Sequence, residues 1–326
     1  SGKMINGADA EQLFRSLMSG EASEAEIGAL LMALRIHGET PEIIIAATKV
    51  LRSMMTPISA PDGAMDIVGT GGDSLGTYNI STASALVTAA CGVPVAKHGN
   101  KAFSSRSGVA DILEEAGLNL QADFNQIAQS LRNNNFGFLL APRHHGAMRH
   151  VGPARIALGI RTIFNILGPL CNPANVKHYL IGCYTREWLR PMAETLGALG
   201  AEHAWVVHGH SGMDEISTTG ETQVACWHNG SLREFVITPD EVGIKTVTLD
   251  ALIGGTPAQN LQALHGLLRG EVSAYRDIVL LNTAAALCVA GKVESLTDGV
   301  ALAAQAIDSG AAQEVLNGSI ASCQAS

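Results

Sequence analysis

Aromatic side chains make up only 4% of this 326-residue chain, while glycine occurs 35 times. That balance suits an α/β protein with many strand–helix turns. An excess of positive charge is also missing: 21 Lys and Arg face 30 Asp and Glu, a formal net charge of −9. A general nucleic-acid binder needs basic patches for phosphate contacts, so nucleic acid is not an expected partner. No stretch reaches the ~18 uninterrupted apolar residues that span a bilayer, so no membrane partner is expected. The six cysteines (91, 171, 183, 226, 288 and 323) show no C-x-x-C and no paired spacing. They read as buried free thiols of a reducing, cytoplasmic protein rather than a disulfide framework. No basic-then-apolar signal pattern opens the chain, and Ser1-Gly2-Lys3 before Met4 reads as a cloning remnant. Repeats and low-complexity segments are absent as well. With 47% hydrophobic residues, the chain can bury a large core split between two units.

The first sixty residues are helical by their local signals. Ala10–Met18 carries Leu13, Leu17 and Met18 at helical spacing and stops at Gly20. Ser23 with Glu26 makes a capping box for Ala25–His37, and Thr40-Pro41-Glu42 starts a helix reaching about Met55. From Asp66 strands alternate with helices, which predicts βαβ units and a largely parallel sheet. Strands are expected at Asp66–Val68, Val93–Ala96, Gly137–Ala141, Tyr179–Tyr184 and His203–Val207. A type I′ hairpin at Asn229-Gly230 should join Thr222–His228 to Ser231–Ile237. Between Arg143 and Pro173 the alternation pauses, with helical character over His150–Gly159 continuing through Arg161–Leu167. Helices return near Arg276–Ala290, Ser295–Ile307 and Ala311–Leu316.

The chemistry centres on 66–110, DIVGTGGDSLGTYNISTASALVTAACGVPVAKHGNKAFSSRSGVA. A short strand, a glycine-dense loop (Gly69–Asp73) and a polar collar (Thr77, Asn79, Ser81, Thr82) lead into a small-residue helix. A neighbouring strand then delivers Lys97-His98-Gly99-Asn100. Glycines let backbone N–H groups approach an anion, the helix N-terminus adds a positive dipole end, and Lys97 adds a full charge. The loop lacks the third glycine of a dinucleotide fingerprint, and Thr77 stands where a Walker A motif needs Lys. An ordinary tight strand-to-helix turn is the alternative to phosphate binding.

Asp214-Glu215, after the strand Ala204–Val207, forms a second constellation. Adjacent carboxylates at a strand's C-terminal end suit Mg²⁺ completed by phosphate oxygens, and equally a solvated acidic turn. The RHHGAMRHVGPAR segment groups Arg143, His144, His145, Arg149, His150 and Arg155 without carboxylate or cysteine in ligand spacing, which speaks against a metal cluster. A guanidinium there suits bidentate grip on a carboxylate-bearing substrate, and a solvated helix face is the alternative.

The strings GTGGD, NIST, VAKHGN, HHGAMRHV and LGIRTIFNILGPLCNPA together resemble the anthranilate phosphoribosyltransferase family, across almost the whole chain. The resemblance implies a small discontinuous all-helical domain, residues 1–62 completed by roughly 150–175. It pairs with a large α/β phosphoribosyl-binding domain, 63–149 and 176–326, with a mostly parallel central sheet and a cleft between the two. It implies phosphoribosyl transfer from phosphoribosyl pyrophosphate to the amine of anthranilate, with Mg²⁺ as cofactor, in a homodimer joined through the helical domains. Gly69, Gly71, Gly72, Asp73, Thr77, Asn79, Ser81, Thr82, Lys97, Ser105 and Gly108 would line the phosphoribosyl site, with Lys97 and Asp73 catalytic. Gly69, His98, Asn100, Pro142 and Arg155 would line the anthranilate pocket, and Ser81, Asp214 and Glu215 would hold metal. Lys101, Val109 and Gly146 depart from the residues usual in that family. A nucleoside phosphorylase of the same fold is the rival reading, but KHGN stands where its Lys-x-Ser phosphate signature is expected.

Overall fold

The computed structural model describes residues 7–101 and 107–324. Three helices open it: α1 (Gly7–Ser19), α2 (Glu24–His37) and α3 (Pro41–Met54). Their starts follow from local chemistry. The Ser23 backbone N–H donates to Glu26 Oε2 at 2.8 Å, closing the expected capping box, and Thr40 Oγ1 accepts from Ile43 N with Pro41 at the first helical position.

The alternating segment runs β1 (Met65–Gly69), α4 (Ile80–Ala90), β2 (Val95–Gly99), α5 (Val109–Glu115), α6 (Phe124–Asn134) and β3 (Phe136–Leu140). Short helices α7 (Ala141–His144), α8 (Gly152–Leu158) and α9 (Phe164–Leu167) follow, then β4 (His178–Gly182), α10 (Leu189–Ala198), β5 (His203–Gly209), β6 (Thr222–His228) and β7 (Ser231–Ile237). The chain closes with α11 (Pro257–Leu268), α12 (Ala274–Val289), α13 (Leu296–Asp308) and α14 (Ala311–Cys323). The seven strands lie in the order β3-β2-β1-β4-β5-β6-β7, the first five parallel and the last two joined antiparallel. The hairpin matches expectation, with Asn229 and Gly230 at φ 48° and 81°.

Several boundaries differ from those expected. The second strand is Val95–Gly99, so Lys97 and His98 lie within it rather than beyond it. The third ends at Leu140 because Ala141-Pro142 starts α7. The fourth stops at Gly182, and the fifth extends to Gly209 by pairing with β6. Arg161 precedes α9 rather than lying in a helix, and α14 runs on to Cys323.

Helix α12 is the central staff: 13 of its 16 residues are buried, and it packs on α4, α13 and β4. Burial of each large aliphatic side chain there contributes roughly 1.5–3 kcal/mol. The helix α10 covers β5 and β6 and meets α3. The 144–172 segment folds back on the opening helices: α8 packs on α2, Phe14 meets Phe164 edge-on at 6.2 Å, and Arg52 Nε donates to the Leu170 carbonyl at 2.9 Å. Five cysteines are buried and Cys288 half-buried, all free. Among the described residues no helix is long and apolar enough to cross a membrane.

Candidate active site

Strand order reverses between β1 and β4, and open α/β sheets bind ligands beyond the carboxyl ends of strands at such a point. Both of these strands end in glycine, and the reason is steric. A Cβ on Gly182 would lie 1.5 Å from the Asp214 carbonyl oxygen, and one on Gly69 would lie 2.5 Å from Asp214 Oδ2. The bare strand ends let the acidic segment sit directly on the switch point.

That segment is tied to the glycine loop, since Gly71 N–H donates to Asp214 Oδ2 at 2.8 Å. Asp214 is buried and Glu215 half-buried, so the pair is not a solvated turn. Burial and the neighbouring Asp73 raise the Asp214 carboxyl to about 7, while burial and then Asp214 push Glu215 well above its ordinary range. Lys97, 1% exposed, lies beneath them. Its Nζ donates to the Ile67 carbonyl at 2.5 Å and to Ser81 Oγ at 3.2 Å. Burial lowers its pKa, opposed by Asp66, Glu215 and Asp214.

Asp73 therefore presses on Asp214, and both press on Glu215, beside one buried ammonium. Such an excess of oxygen donors fits a hard divalent cation, which Ser81, Asp214 and Glu215 could hold. Among the described residues no three His, Cys, Asp or Glu side chains are arranged as a complete metal cage. Mg²⁺ commonly takes one or two carboxylates, with water and substrate oxygens completing its shell.

The polar collar is held from behind. Tyr78 N donates to the Leu252 carbonyl, Thr77 bridges to Ile253, and Asn260 Nδ2 donates to Asn79 Oδ1 at 2.9 Å. Thr82 is buried, with its hydroxyl unpartnered. Gly108 caps α5 and its N–H donates to Asp111. Ser105 lies outside the described residues. Lys101 pairs with Glu114 on α5 at 2.7 Å, so its charge is turned onto that helix.

The second group lies along β2 and the returning segment. His98 N–H donates to Asp66 Oδ1 at 3.1 Å, and Asn172 Nδ2 braces the other Asp66 oxygen at 2.7 Å. Burial raises the Asp66 carboxyl to about 6. The His98 and His145 rings stand 5.1 Å apart, and the Nε2 atom of each is buried without a partner. Burial holds both imidazoles below the usual histidine range, His145 at about 4. His144 is buried as well, its ring bonded to the Thr56 carbonyl, so the histidine pair is no solvated face. Pro142 is exposed at the start of α7. Arg155 is half-buried with its guanidinium 5.3 Å from the Phe164 ring centre, and burial lowers its pKa. Among the described residues Asn100 and Arg155 make no hydrogen bond or ion pair with the other proposed site residues.

Arg161 was not a sequence candidate. Its guanidinium donates to the Gly72 carbonyl and lies 4.1 Å from the Tyr184 ring centre, joining the returning segment to the glycine loop. No local signal marks it, because both partners are distant in sequence.

Two family models match: a glycosyl transferase family helical bundle domain over residues 1–55 and a glycosyl transferase family a/b domain over 61–313. An anthranilate phosphoribosyltransferase of Brucella canis is 55% identical over 321 residues, 98% of this chain and 94% of that one. The chain belongs to the anthranilate phosphoribosyltransferase family. It is accordingly an enzyme of the glycosyltransferase class. Its backbone matches the crystal structure of the Thermus thermophilus member with a TM-score of 0.94, at 44% identity and covering 99% and 97% of the two chains. The Saccharomyces cerevisiae member, in complex with PRPP and Mg, gives 0.90 at 30% identity and covers 98% and 93%. These matches bear out the expected helical domain and large, mostly parallel α/β domain.

Proposed function

We propose that this protein transfers the phosphoribosyl group of phosphoribosyl pyrophosphate to the amine of anthranilate, giving N-(5-phosphoribosyl)anthranilate and pyrophosphate for tryptophan biosynthesis. The carrying observation is the junction at the β1/β4 switch point, where Asp214 grips Gly71 of the glycine loop above buried Lys97. Gly69, Gly71, Gly72, Asp73, Thr77, Asn79, Ser81, Thr82 and Gly108 then line the phosphoribosyl half-site, and His98, Asn100, Pro142 and Arg155 the acceptor half. Mg²⁺, when bound by Ser81, Asp214 and Glu215, supplies charge neutralisation at the pyrophosphate.

The chain's own part is positioning and electrostatics. Lys97 and the loop N–H groups offset charge that builds on the leaving pyrophosphate, and Asp73 braces the loop by accepting from Leu75 N at 3.1 Å. The anthranilate amine is neutral at pH 7, so no group must deprotonate it before attack. His98, kept neutral by burial, orients the acceptor rather than acting as a base. Arg155 supplies the cation for the acceptor carboxylate.

Residues 1–62 with 150–175 form one helical domain in this reading, supported by the packing of α8 on α2 and of Phe164 on Phe14. Ile36, Ile156 and Ile160, exposed at 73%, 64% and 43%, supply its surface for a second copy. The free, mostly buried cysteines accord with a cytoplasmic enzyme. The assay is anthranilate fluorescence, which should decay only with both phosphoribosyl pyrophosphate and Mg²⁺ present. Turnover of thymidine or uridine with phosphate, and none of anthranilate, would overturn the assignment.

A further inference from the structure

We propose that Asn260 is a positioning residue for phosphoribosyl pyrophosphate, acting through Asn79. The inference rests on the reading that Asn79 lines the phosphoribosyl half-site. Asn260 is 2% exposed on α11, too deep to touch substrate. Gly255 N–H donates to Asn260 Oδ1 at 2.7 Å. A backbone N–H can only donate, so this bond fixes which way the Asn260 amide faces. Its Nδ2 then donates to Asn79 Oδ1 at 2.9 Å. The Asn79 amide is fixed in turn, its Oδ1 accepting also from the Ser107 hydroxyl at 3.4 Å and its NH₂ group meeting the same turn entering α5. There it donates to the Ser107 carbonyl at 3.4 Å, a long bond that a phosphate oxygen can replace.

Asn79 also occupies the N-cap of α4 without making a side-chain cap bond. Asparagine at that position ordinarily turns its oxygen onto the helix N–H groups. Asn260, with the shorter of the two bonds to that oxygen, withholds it, so Asn79 presents a donor to an anion instead of capping its own helix. Tyr275 completes the bracket: its hydroxyl donates to the Asn79 carbonyl at 3.2 Å and its ring stacks on Tyr78 at 4.5 Å.

The test measures both KM values and kcat for Asn260→Ala and Asn260→Asp, each alone and combined with Asn79→Ala. Asn260→Ala should raise the KM for phosphoribosyl pyrophosphate ~10-fold or more, the scale of one hydrogen bond to a charged group, with smaller changes in kcat and in the anthranilate KM. Asn260→Asp should be worse, although it keeps the shape and the Gly255 bond. Its carboxylate accepts where Asn260 donated and turns the Asn79 oxygen toward the pyrophosphate. Neither change should add to the effect of Asn79→Ala. A milder effect for Asp than for Ala, or an equal rise in the Asn79→Ala background, would overturn the proposal while leaving the half-site in place. An unchanged KM in Asn79→Ala alone would remove Asn79 from the half-site and the proposal with it. Should Asn260→Ala fail to fold, the Asp variant carries the test.

Discussion

At the C-terminal rim of the sheet Asp73 raises the proton affinity of Asp214, and both raise that of Glu215, beside the buried Lys97. At the N-terminal rim His178, His203 and His228 stand in register on β4, β5 and β6. Both rims gather titratable groups, but the surroundings differ. Among the described residues His178 Nδ1 is buried without a partner, while His203 stacks on His228 at 4.2 Å and its Nε2 accepts from Trp205 Nε1 at 3.1 Å. That contact requires a neutral ring. The carboxylates lie over glycine strand ends and beside loop N–H groups. Titratable groups with strongly perturbed proton affinity mark a candidate site, and chemistry at the carboxylate rim differs from that at the histidine rim in the sign of the charge that burial disfavours.

The comparison breaks most sharply at the acidic rim. Asp214→Asn with Glu215→Gln keeps volume and removes charge, and steady-state assays should show activity falling ~10²-fold or more, the scale of losing preorganised electrostatic groups. Partial recovery at high Mg²⁺ should accompany the loss. Unchanged magnesium dependence would return the pair to a structural role.

Arg155→Ala comes next. It should raise the anthranilate KM by the equivalent of ~1.5–3 kcal/mol while phosphoribosyl pyrophosphate binding stays nearly intact. Equal weakening of both substrates would move Arg155 out of the acceptor half.

The smallest effect belongs to the histidine rim. Burial, then His228, His178 and Arg233, hold His203 at about 4, with the Val289 backbone opposing them. Between about 6.5 and 4 the unfolded chain therefore binds more protons there than the folded one, and stability falls as pH falls through that window. His203→Gln should flatten this slope in denaturation midpoints compared at pH 7.5 and 5, with kcat unchanged. An unaltered slope would show that other groups set it.

The helices and strands were legible where local chemistry sets them. The Ser23–Glu26 box, Thr40-Pro41 and Asn229-Gly230 each carry their own geometry. The helix Pro257–Leu268 has an equally local start, Thr256 with Gln259 and Pro257 at its first turn, yet it did not figure among the expected helices. The length of β2 was not local at all. Lys97 and His98 stay in the strand because Ile67, Ser81 and Asp66 receive their polar groups inside the core. Arg161 and Asn260 escaped for the same reason, since each gains its role only when segments far apart in sequence meet.

The most direct measurement of the central claim is the thermal midpoint of wild type and of Asp214→Asn/Glu215→Gln, each alone, with Mg²⁺, and with Mg²⁺ plus phosphoribosyl pyrophosphate. Wild type should gain its largest increment with both ligands, because binding to the folded state adds stability, and the double variant should lose that increment. An equal increment in both proteins, or none in wild type, would contradict a ligand site at the acidic rim.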